Sequence, residues 1–333
     1  MGISNHPAKL RQLYSIADDG AELAKDVEHI NAYLVSGQDL IVDKSAKPLT
    51  GVSEMTFGSK PVDGGNLLLT RAELDALALD RLEFEKFIRP IYGSEEFIGG
   101  KQRYCIWIKD DDAHDANSHP TIGPRLEAVR EMRLASAKVA TQRGAQWPYR
   151  FDERRQSGQE TSIAVAAISS ENRDYLPCGL LPPGSIISNK CFAFFNAPLW
   201  NMALIASRVH WVWIGTVCVR MRTDFSYSNT LGWNTFPVPT LTEKNKADLT
   251  SCAEDILLTR EAHFPATIAD LYEPDNMPAD LRAAHERNDE VLERIYIGRR
   301  FKNDTERLEK LFELYTKMTT DKKSVSKQRA DVE

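Results

Sequence analysis

The chain has 333 residues, of which 42% are hydrophobic, and this is enough apolar material for a core in two or three domains. Its net charge of −6 excludes DNA binding driven by bulk charge but leaves a local basic face open. Five cysteines without a Cys-x-x-Cys pair argue against zinc ribbons and disulfide frameworks, and indicate reduced thiols in a cytoplasm. Polar residues interrupt the longest apolar run, so no contact with a membrane is predicted.

The N-terminal part alternates loops with short elements. Residues 3–14 predict a short strand and turn, and residues 30–50 predict a linker. Asp63-Gly64-Gly65 is a strong turn signal. Leucines near helical spacing predict a helix over 70–86, and alternating side chains predict a strand over 103–108.

An acidic cluster follows, formed by Asp110, Asp111 and Asp112 with His114. Carboxylates and an imidazole can hold a metal ion, but nothing nearby supplies a second set of ligands. We therefore interpret the cluster as a solvated turn and predict no metal site.

A basic amphipathic helix is predicted over 124–143. Its positive charges lie off the apolar face, at Arg125, Arg130, Arg133, Lys138 and Arg143, and Arg150, Arg154 and Arg155 extend the tract. A solvated helix face would explain these charges. Contact with DNA phosphates is the functional alternative, because Lys and Arg position a duplex without reading its sequence.

Two strands, predicted over 163–168 and 186–195, flank a polar loop, and the apolar run 199–214 follows them. The run predicts a buried element that delivers the polar stretch 220–229, and two prolines then force an extended exit. Arg presents a donor fork to guanine, and Asp can accept a hydrogen bond from cytosine. A core helix followed by an ordinary polar turn is the alternative.

The composition changes after Pro239. Apolar residues at helical spacing predict helices over 240–264, 279–295 and 305–318, the first with a capping box formed by Thr240 and Glu243. Short connections suggest a small bundle, and the apolar-poor residues 319–333 predict a disordered tail. The fold class predicted is therefore α+β: a mixed-sheet domain followed by a small C-terminal helical bundle.

Several motifs resemble, in order, those of the Mme-type (type IIL) restriction-modification enzymes. These enzymes join a nuclease, a DNA-adenine methyltransferase and a target-recognition region in one polypeptide. The matching segments are Asp63–Leu69, Arg89–Phe97, Ser169–Glu171, Arg220–Ser228, Asn234–Pro237 and Ala269–Tyr272. The chain departs from the family pattern at Val219, where Gly is usual, and at Val238, where an aromatic residue is common.

The resemblance implies that double-stranded DNA is the partner and that three polar loops read its bases. Carried over by residue, the base readers are Asn189, Lys190, Arg222, Asp224 and Ser226. Contacts to the DNA backbone are predicted from charge density, and not from the resemblance, at Arg125, Arg130, Arg133, Lys138 and Arg143, and further backbone contacts are predicted at Arg173 and Arg220. The side chains suit these roles, because Asn can pair with adenine, and Arg or Lys with guanine. A turn former, a solvated lysine and a surface ion pair are the structural alternatives for Asn189, Lys190 and the Arg222–Asp224 pair.

The resemblance also implies a domain order. Residues 1–45 would be the remnant of a methyltransferase domain and a linker, 46–239 the target-recognition domain, and 240–318 the helical domain. On this view, Met1 marks either a shortened polypeptide or a truncated reading frame.

No catalytic residue is predicted. The sequence holds no Asn/Asp-Pro-Pro-aromatic motif, no glycine-rich cofactor loop and no nuclease cluster. S-adenosylmethionine is therefore implied only for a missing methyltransferase domain. Two alternatives stay open: a separate specificity subunit that acts in trans, and a metal-dependent enzyme that uses the cluster from Asp110 to His114.

Overall fold

The computed structural model describes residues 11–16, 20–37 and 39–330, without the side chains of 321–330. Its strands are β1 (Arg11–Ile16), β2 (Glu22–Val27), β3 (Thr56–Phe57), β4 (Leu68–Leu69), β5 (Ile88–Tyr92), β6 (Tyr104–Ile106), β7 (Ser162–Ala166), β8 (Ile168–Ser169), β9 (Cys178–Leu181), β10 (Ile186–Ile187), β11 (Cys191–Phe195), β12 (Arg220–Met221) and β13 (Asp224–Ser226). Its α-helices are α1 (Arg71–Ala76), α2 (Arg81–Phe87), α3 (Ser94–Gly99), α4 (Ala113–Ser118), α5 (Ile122–Leu134), α6 (Val139–Arg143), α7 (Trp200–Ile205), α8 (Arg208–Val217), α9 (Glu243–Ala262), α10 (Ile268–Leu271), α11 (Ala279–Ile297) and α12 (Asp304–Ala330). The predicted α+β class is confirmed.

Four small sheets organise the strands. Their orders are β1-β2, β10-β5-β6-β4, β3-β11-β7-β9 and β12-β13-β8. All pairings are antiparallel except that between β10 and β5. The strands β7 and β8 follow each other directly, so one stretch of chain passes from the third sheet into the fourth. The strand predicted over 3–14 is described only from Arg11, and residues 1–10 lie outside the described residues.

The apolar run predicted to be buried forms α7 and α8, and Trp213 and Ile214 have no exposed surface. The run is two helices because Ser207 caps the second one: its hydroxyl accepts a hydrogen bond from His210 N at 3.1 Å. One hydrophobic core surrounds both helices and includes Phe192 and Phe194 of β11 as well as Leu249 of α9. A second core lies between the β10-β5-β6-β4 sheet and α5.

The C-terminal helices pack onto this buried pair. Helix α9 lies against α7 and α11, and α12 lies against α8. The helical part therefore shares its core with the sheet domain, and side chains from Val35 to Tyr315 contribute to it. All five cysteines are free thiols, and four of them are buried.

Three predicted helices have different bounds. The helix over 70–86 is two helices, because Ala78 has a φ of 51° and Asp80 starts α2 with its own capping box. The helix over 124–143 is α5 and α6, separated by residues 135–138. The capping box of α9 is formed by Thr242 and Asn245 and not by Thr240 and Glu243, because Thr242 accepts a hydrogen bond from Asn245 N.

The C-terminal tail also differs from the prediction. Residues 319–330, predicted to be disordered, continue α12, and residues 331–333 lie outside the described residues. Lys, Gln and Arg in this stretch have good helix propensity, so a helix begun on the core can extend past the last apolar contact.

Candidate nucleic-acid interface

The hairpin formed by β12 and β13 carries three of the predicted base readers. Phe225 of β13 pairs with Ser169 of β8 and is buried, which anchors the hairpin on the body of the protein. Arg222 lies at the exposed tip with a φ of 62°, in the left-handed region, and Asp224 follows it two residues later. A non-glycine residue in this region is strained, and such strain is often found at functional positions.

Arg220 is fixed against the hairpin. Its guanidinium lies 4.5 Å from the centre of the Phe225 ring and forms an ion pair with Glu171 of the loop after β8. The predicted contact of Arg220 with a DNA phosphate would therefore compete with Glu171 for the same guanidinium.

The turn Ser188–Lys190 between β10 and β11 carries the other two predicted readers. Backbone hydrogen bonds hold it on two sides: Asn189 N donates to Ser59 O at 2.9 Å, and Ser188 N donates to Tyr92 O at 2.9 Å. The Lys190 side chain is exposed and that of Asn189 is half-buried. Beside the turn lies a cavity of about 330 Å³, which is also lined by Lys60 and Arg103. Asn189 and Lys190, whose side chains can both donate hydrogen bonds, thus line an open cavity on a backbone that is held in place.

The hairpin and the turn are connected through the start of α3. Ser94 Oγ donates to Lys190 O at 2.6 Å and accepts from Ala167 N at 3.4 Å. Ala167 O in turn accepts from Tyr227 N, directly after β13, at 2.9 Å. The fold therefore brings together the two groups of predicted base readers, which are more than 30 residues apart in sequence.

Arg173, predicted to contact the DNA backbone, is half-buried behind the hairpin. Its guanidinium donates to Ser169 Oγ at 3.3 Å. Burial lowers the pKa of Arg173, while the charges of Glu273 and Asp224 act in the opposite direction. This position suits a support for Asp224 better than an exposed phosphate contact.

Arg133 was predicted to contact phosphate, and that prediction is wrong. Its side chain is buried, and its guanidinium donates to five carbonyl oxygens at 2.7–3.0 Å, those of Pro61, Val62, Gly144, Trp147 and Arg150. All the donor capacity of the group is consumed inside the protein. The sequence held a signal, because Arg133 lies four and seven residues after the buried Val129 and Leu126, on the same face of α5.

The remaining basic residues differ in how they are held. Arg125 is half-buried and donates to Asn66 O and Glu73, at 2.9 and 3.1 Å. Arg130 is exposed and paired with Glu127. Lys138 and Arg143 are exposed. Only these last three therefore present charge outward from the predicted basic helix.

Arg143 lines a cavity of about 490 Å³, the basic cavity, together with Trp147, Arg150 and Arg154. The acidic residues Asp110 and Asp152 also line it. Arg150 and Arg154, which extend the basic tract in the sequence, lie beside Arg143. Residues Pro61 and Val62, which accept hydrogen bonds from Arg133, also line the cavity beside Lys190. Pro61 and Val62 thus connect the basic cavity with the turn Ser188–Lys190.

The acidic cluster is engaged in ion pairs. Asp110 accepts a hydrogen bond from Arg150 Nε at 2.8 Å, and Lys86 lies 3.2 Å from Asp112. In the described part of the chain no group of three or more His, Cys, Asp and Glu residues could hold a metal ion. Within the same residues, no helix has the length and apolar character needed to cross a membrane.

The sheet domain displays two polar loops, and the C-terminal helices pack against its buried helices α7 and α8. This is the arrangement expected of a target-recognition domain joined to a helical domain. Residues 36–240 match the family model described as MmeI, target recognition domain, and residues 241–322 match that described as MmeI, C-terminal domain. The chain belongs to the MmeI family.

Two relatives place these domains in larger proteins. DNA methyltransferase A of Bacillus subtilis (strain 168) is 35% identical over 298 residues, which are 90% of this chain and 34% of that protein. A solved structure, described as the Type IIL restriction-modification enzyme MmeI in complex with DNA, is 30% identical with a TM-score of 0.83. It matches 95% of this chain and 42% of its own. The chain thus spans about a third of one relative and about two fifths of the other.

Proposed function

We propose that this chain is the sequence-specific, double-stranded DNA recognition part of a DNA-adenine methyltransferase or restriction-modification enzyme. The observation that carries the proposal is the hairpin, where the exposed Arg222 at the tip and the half-buried Asp224 lie on a β-ribbon anchored by the buried Phe225. A two-stranded β-ribbon fits the major groove of B-DNA. The related solved structure, which is a complex with DNA, supports the same function.

Base reading follows from the chemistry of the displayed side chains. Arg222 would donate to the acceptor edge of guanine, and Asp224 would accept from the amino group of the paired cytosine. Lys190 and Ser226 would read a neighbouring base pair, and Asn189 suits adenine. Because the backbone beneath these side chains is fixed by hydrogen bonds before DNA arrives, little conformational entropy would be lost on binding.

The exposed cations of the basic helix would form an electrostatic seat, which here means a set of contacts to the phosphates of the duplex. Lys138 and Arg143 would neutralise phosphates and release counterions, which gives affinity without sequence preference. Because the net charge of the chain is −6, affinity for phosphates would come from such a local arrangement and not from bulk charge.

Methyl transfer is assigned to a methyltransferase domain outside these residues. That domain would bind S-adenosylmethionine and take the target adenine out of the stack. It would be joined to this chain in one polypeptide, or it would be a separate protein with which this chain acts in trans. With DNA as its partner, the protein would act in the cytoplasm.

The experiment is selection of binding sites from a pool of random duplexes by the purified 333-residue chain, repeated over a series of salt concentrations. Enrichment of one short motif supports the proposal and gives the site. Binding without enrichment leaves only the electrostatic seat and overturns sequence recognition by this chain. A fusion to a methyltransferase domain, tested in parallel, shows whether that domain supplies half of the clamp when the chain alone does not bind.

A further inference from the structure

Ser94, the first residue of α3, contacts both groups of predicted base readers although it is not one of them. Its hydroxyl donates to Lys190 O at 2.6 Å, a short hydrogen bond that fixes the end of the turn. The same oxygen accepts from Ala167 N at 3.4 Å. One side chain therefore connects the turn to the residue that precedes β8.

Ala167 continues the connection to the hairpin. Its carbonyl accepts from Tyr227 N at 2.9 Å, and the adjacent Ile168 pairs with Ser226 of β13. Tyr227 is itself fixed, because its ring is buried and its hydroxyl lies 3.1 Å from Nε2 of the buried His210. A displacement of Ala167, whose amide donates to the Ser94 hydroxyl, would thus be passed to the hairpin through backbone hydrogen bonds.

Two glycines allow the turn to approach this closely. A Cβ on Gly93 would lie 3.0 Å from Ser188 Oγ and 3.2 Å from the Cβ of Lys190. A Cβ on Gly58, on the other side, would lie 2.3 Å from Ser188 O. Neither glycine has a positive φ, so each is needed for the space it leaves and not for its conformation. The turn is therefore clamped between two backbone segments.

Glu96 fixes the end of α3 from which Ser94 projects. One carboxylate oxygen accepts from Gly93 N at 2.9 Å, and the other lies 3.4 Å from Arg103. The Glu96 side chain is only 11% exposed. The hydroxyl of Ser94 thus starts from a fixed helix end.

We propose that Ser94 is a positioning residue for sequence readout, which holds Lys190 at a set distance from the hairpin that bears Arg222, Asp224 and Ser226. This inference rests on the proposed function. Hydrogen bonds to base edges weaken within a few tenths of an ångström and a few tens of degrees, so readers on two separate loops need a common support. Removal of that support lowers the discrimination between base pairs, while the contacts to the DNA phosphates are unchanged.

The test compares full-length chains with Ser94→Ala, Ser94→Thr, Lys190→Ala, and Ser94→Ala with Lys190→Ala. Binding constants are measured for the selected motif and for each single base-pair substitution of it. We expect Ser94→Ala to reduce discrimination about tenfold at the position that responds to Lys190→Ala, and to leave binding to random DNA unchanged. Ser94→Thr, which keeps the hydroxyl, should retain discrimination. At that position the double variant should lose no more than Lys190→Ala alone, because both changes remove the same contact.

Thermal unfolding of every variant separates positioning from stability. Equal weakening by Ser94→Ala at all base pairs, or a lower Tm with unchanged base preference, would overturn the positioning role. A Lys190→Ala chain with unchanged preference, or a wild-type chain that selects no motif, would overturn the assignment of the readers and the role of Ser94 together. A response to Lys190→Ala without one to Ser94→Ala leaves the proposed function standing and removes Ser94 from it.

Discussion

The phenol of Tyr175 donates a hydrogen bond of 3.0 Å to the buried carboxylate of Asp289, which joins the loop after β8 to helix α11. The other oxygen of Asp289 accepts from Arg208 N at 2.7 Å, at the start of α8. Nearby, Asn288 donates to Ala203 O at 2.8 Å, and the His285 ring stacks on Tyr175 at 4.1 Å. The helical domain thus supports the loop that contacts the recognition hairpin, and it does so with buried polar groups.

Asp289 makes stability depend on pH. Burial raises its pKa from 3.8 to about 7, so between these values the folded chain holds a proton that the unfolded chain releases. The stability linked to this proton is fully present below about pH 4 and is lost as the pH rises toward 7.

The check is the free energy of unfolding in urea from pH 4 to pH 8, for the wild type and Asp289→Asn. Each unit of pKa corresponds to about 1.4 kcal/mol, so the wild type should fall relative to the variant by up to about 4 kcal/mol between pH 4 and pH 7. Buried histidines act on both chains alike and cancel in the difference. Parallel profiles would mean that Asp289 is ionised in the fold throughout.

At Arg222, a substitution that increases the stability of the fold should also weaken base discrimination. Its φ of 62° costs about 1–2 kcal/mol for a residue with a Cβ. Arg222→Gly should therefore raise the free energy of unfolding by about 1 kcal/mol, whereas Arg222→Ala keeps the strain. Both variants should relax one position of the recognition site, since a good bidentate contact contributes about 1–3 kcal/mol of discrimination.

Unfolding in urea and binding to the substituted duplexes provide the two measurements. Equal weakening of all sequences by Arg222→Ala would make Arg222 a phosphate contact and the assignment as a base reader wrong. An Arg222→Gly chain less stable than Arg222→Ala would show that the strain is not present.

Arg133 should matter for stability and not for DNA. Arg133→Met leaves five buried carbonyl oxygens without their donor, and we expect a loss of about 3–5 kcal/mol in the free energy of unfolding. Arg130→Ala, on the exposed side of the same helix, is the matched control and should change it by less than about 0.5 kcal/mol. A loss for Arg133→Met no larger than that for Arg130→Ala would contradict the buried network.

Much of the fold could be predicted from local patterns. β-branched and aromatic residues indicated strands over 163–168 and 186–195, and the apolar run 199–214 indicated the buried pair of helices. The single strand predicted over 186–195 is two strands, β10 and β11, with the turn Ser188–Lys190 between them. The break at Ala78 could not be predicted, because leucine spacing continues across it and the positive φ depends on how α1 and α2 pack.

The site divides in the same way. The types of side chain at Arg222 and Asp224 already suit base edges, and the family resemblance selects the loops that bear them. The contact of Ser94 with Lys190 spans 96 residues and depends on space left by Gly93. It therefore could not be predicted from any local pattern in the sequence. Charge density alone gives the wrong role for Arg133, because the position of this residue on α5 buries its side chain.

Arg143 is the sharpest test of the electrostatic seat, because it is exposed and lies beside Arg150 and Trp147 in the basic cavity. If it contacts one phosphate, Arg143→Ala should lower the slope of log binding constant against log salt by about 0.9, and it should weaken all sequences equally. Arg81→Ala is the matched control, since Arg81 is 89% exposed, is paired with Glu85 on α2, and lies outside the predicted interface. Its slope should equal that of the wild type. A change of base preference with Arg143→Ala would make Arg143 a reader, and an unchanged slope would move the duplex away from this cavity.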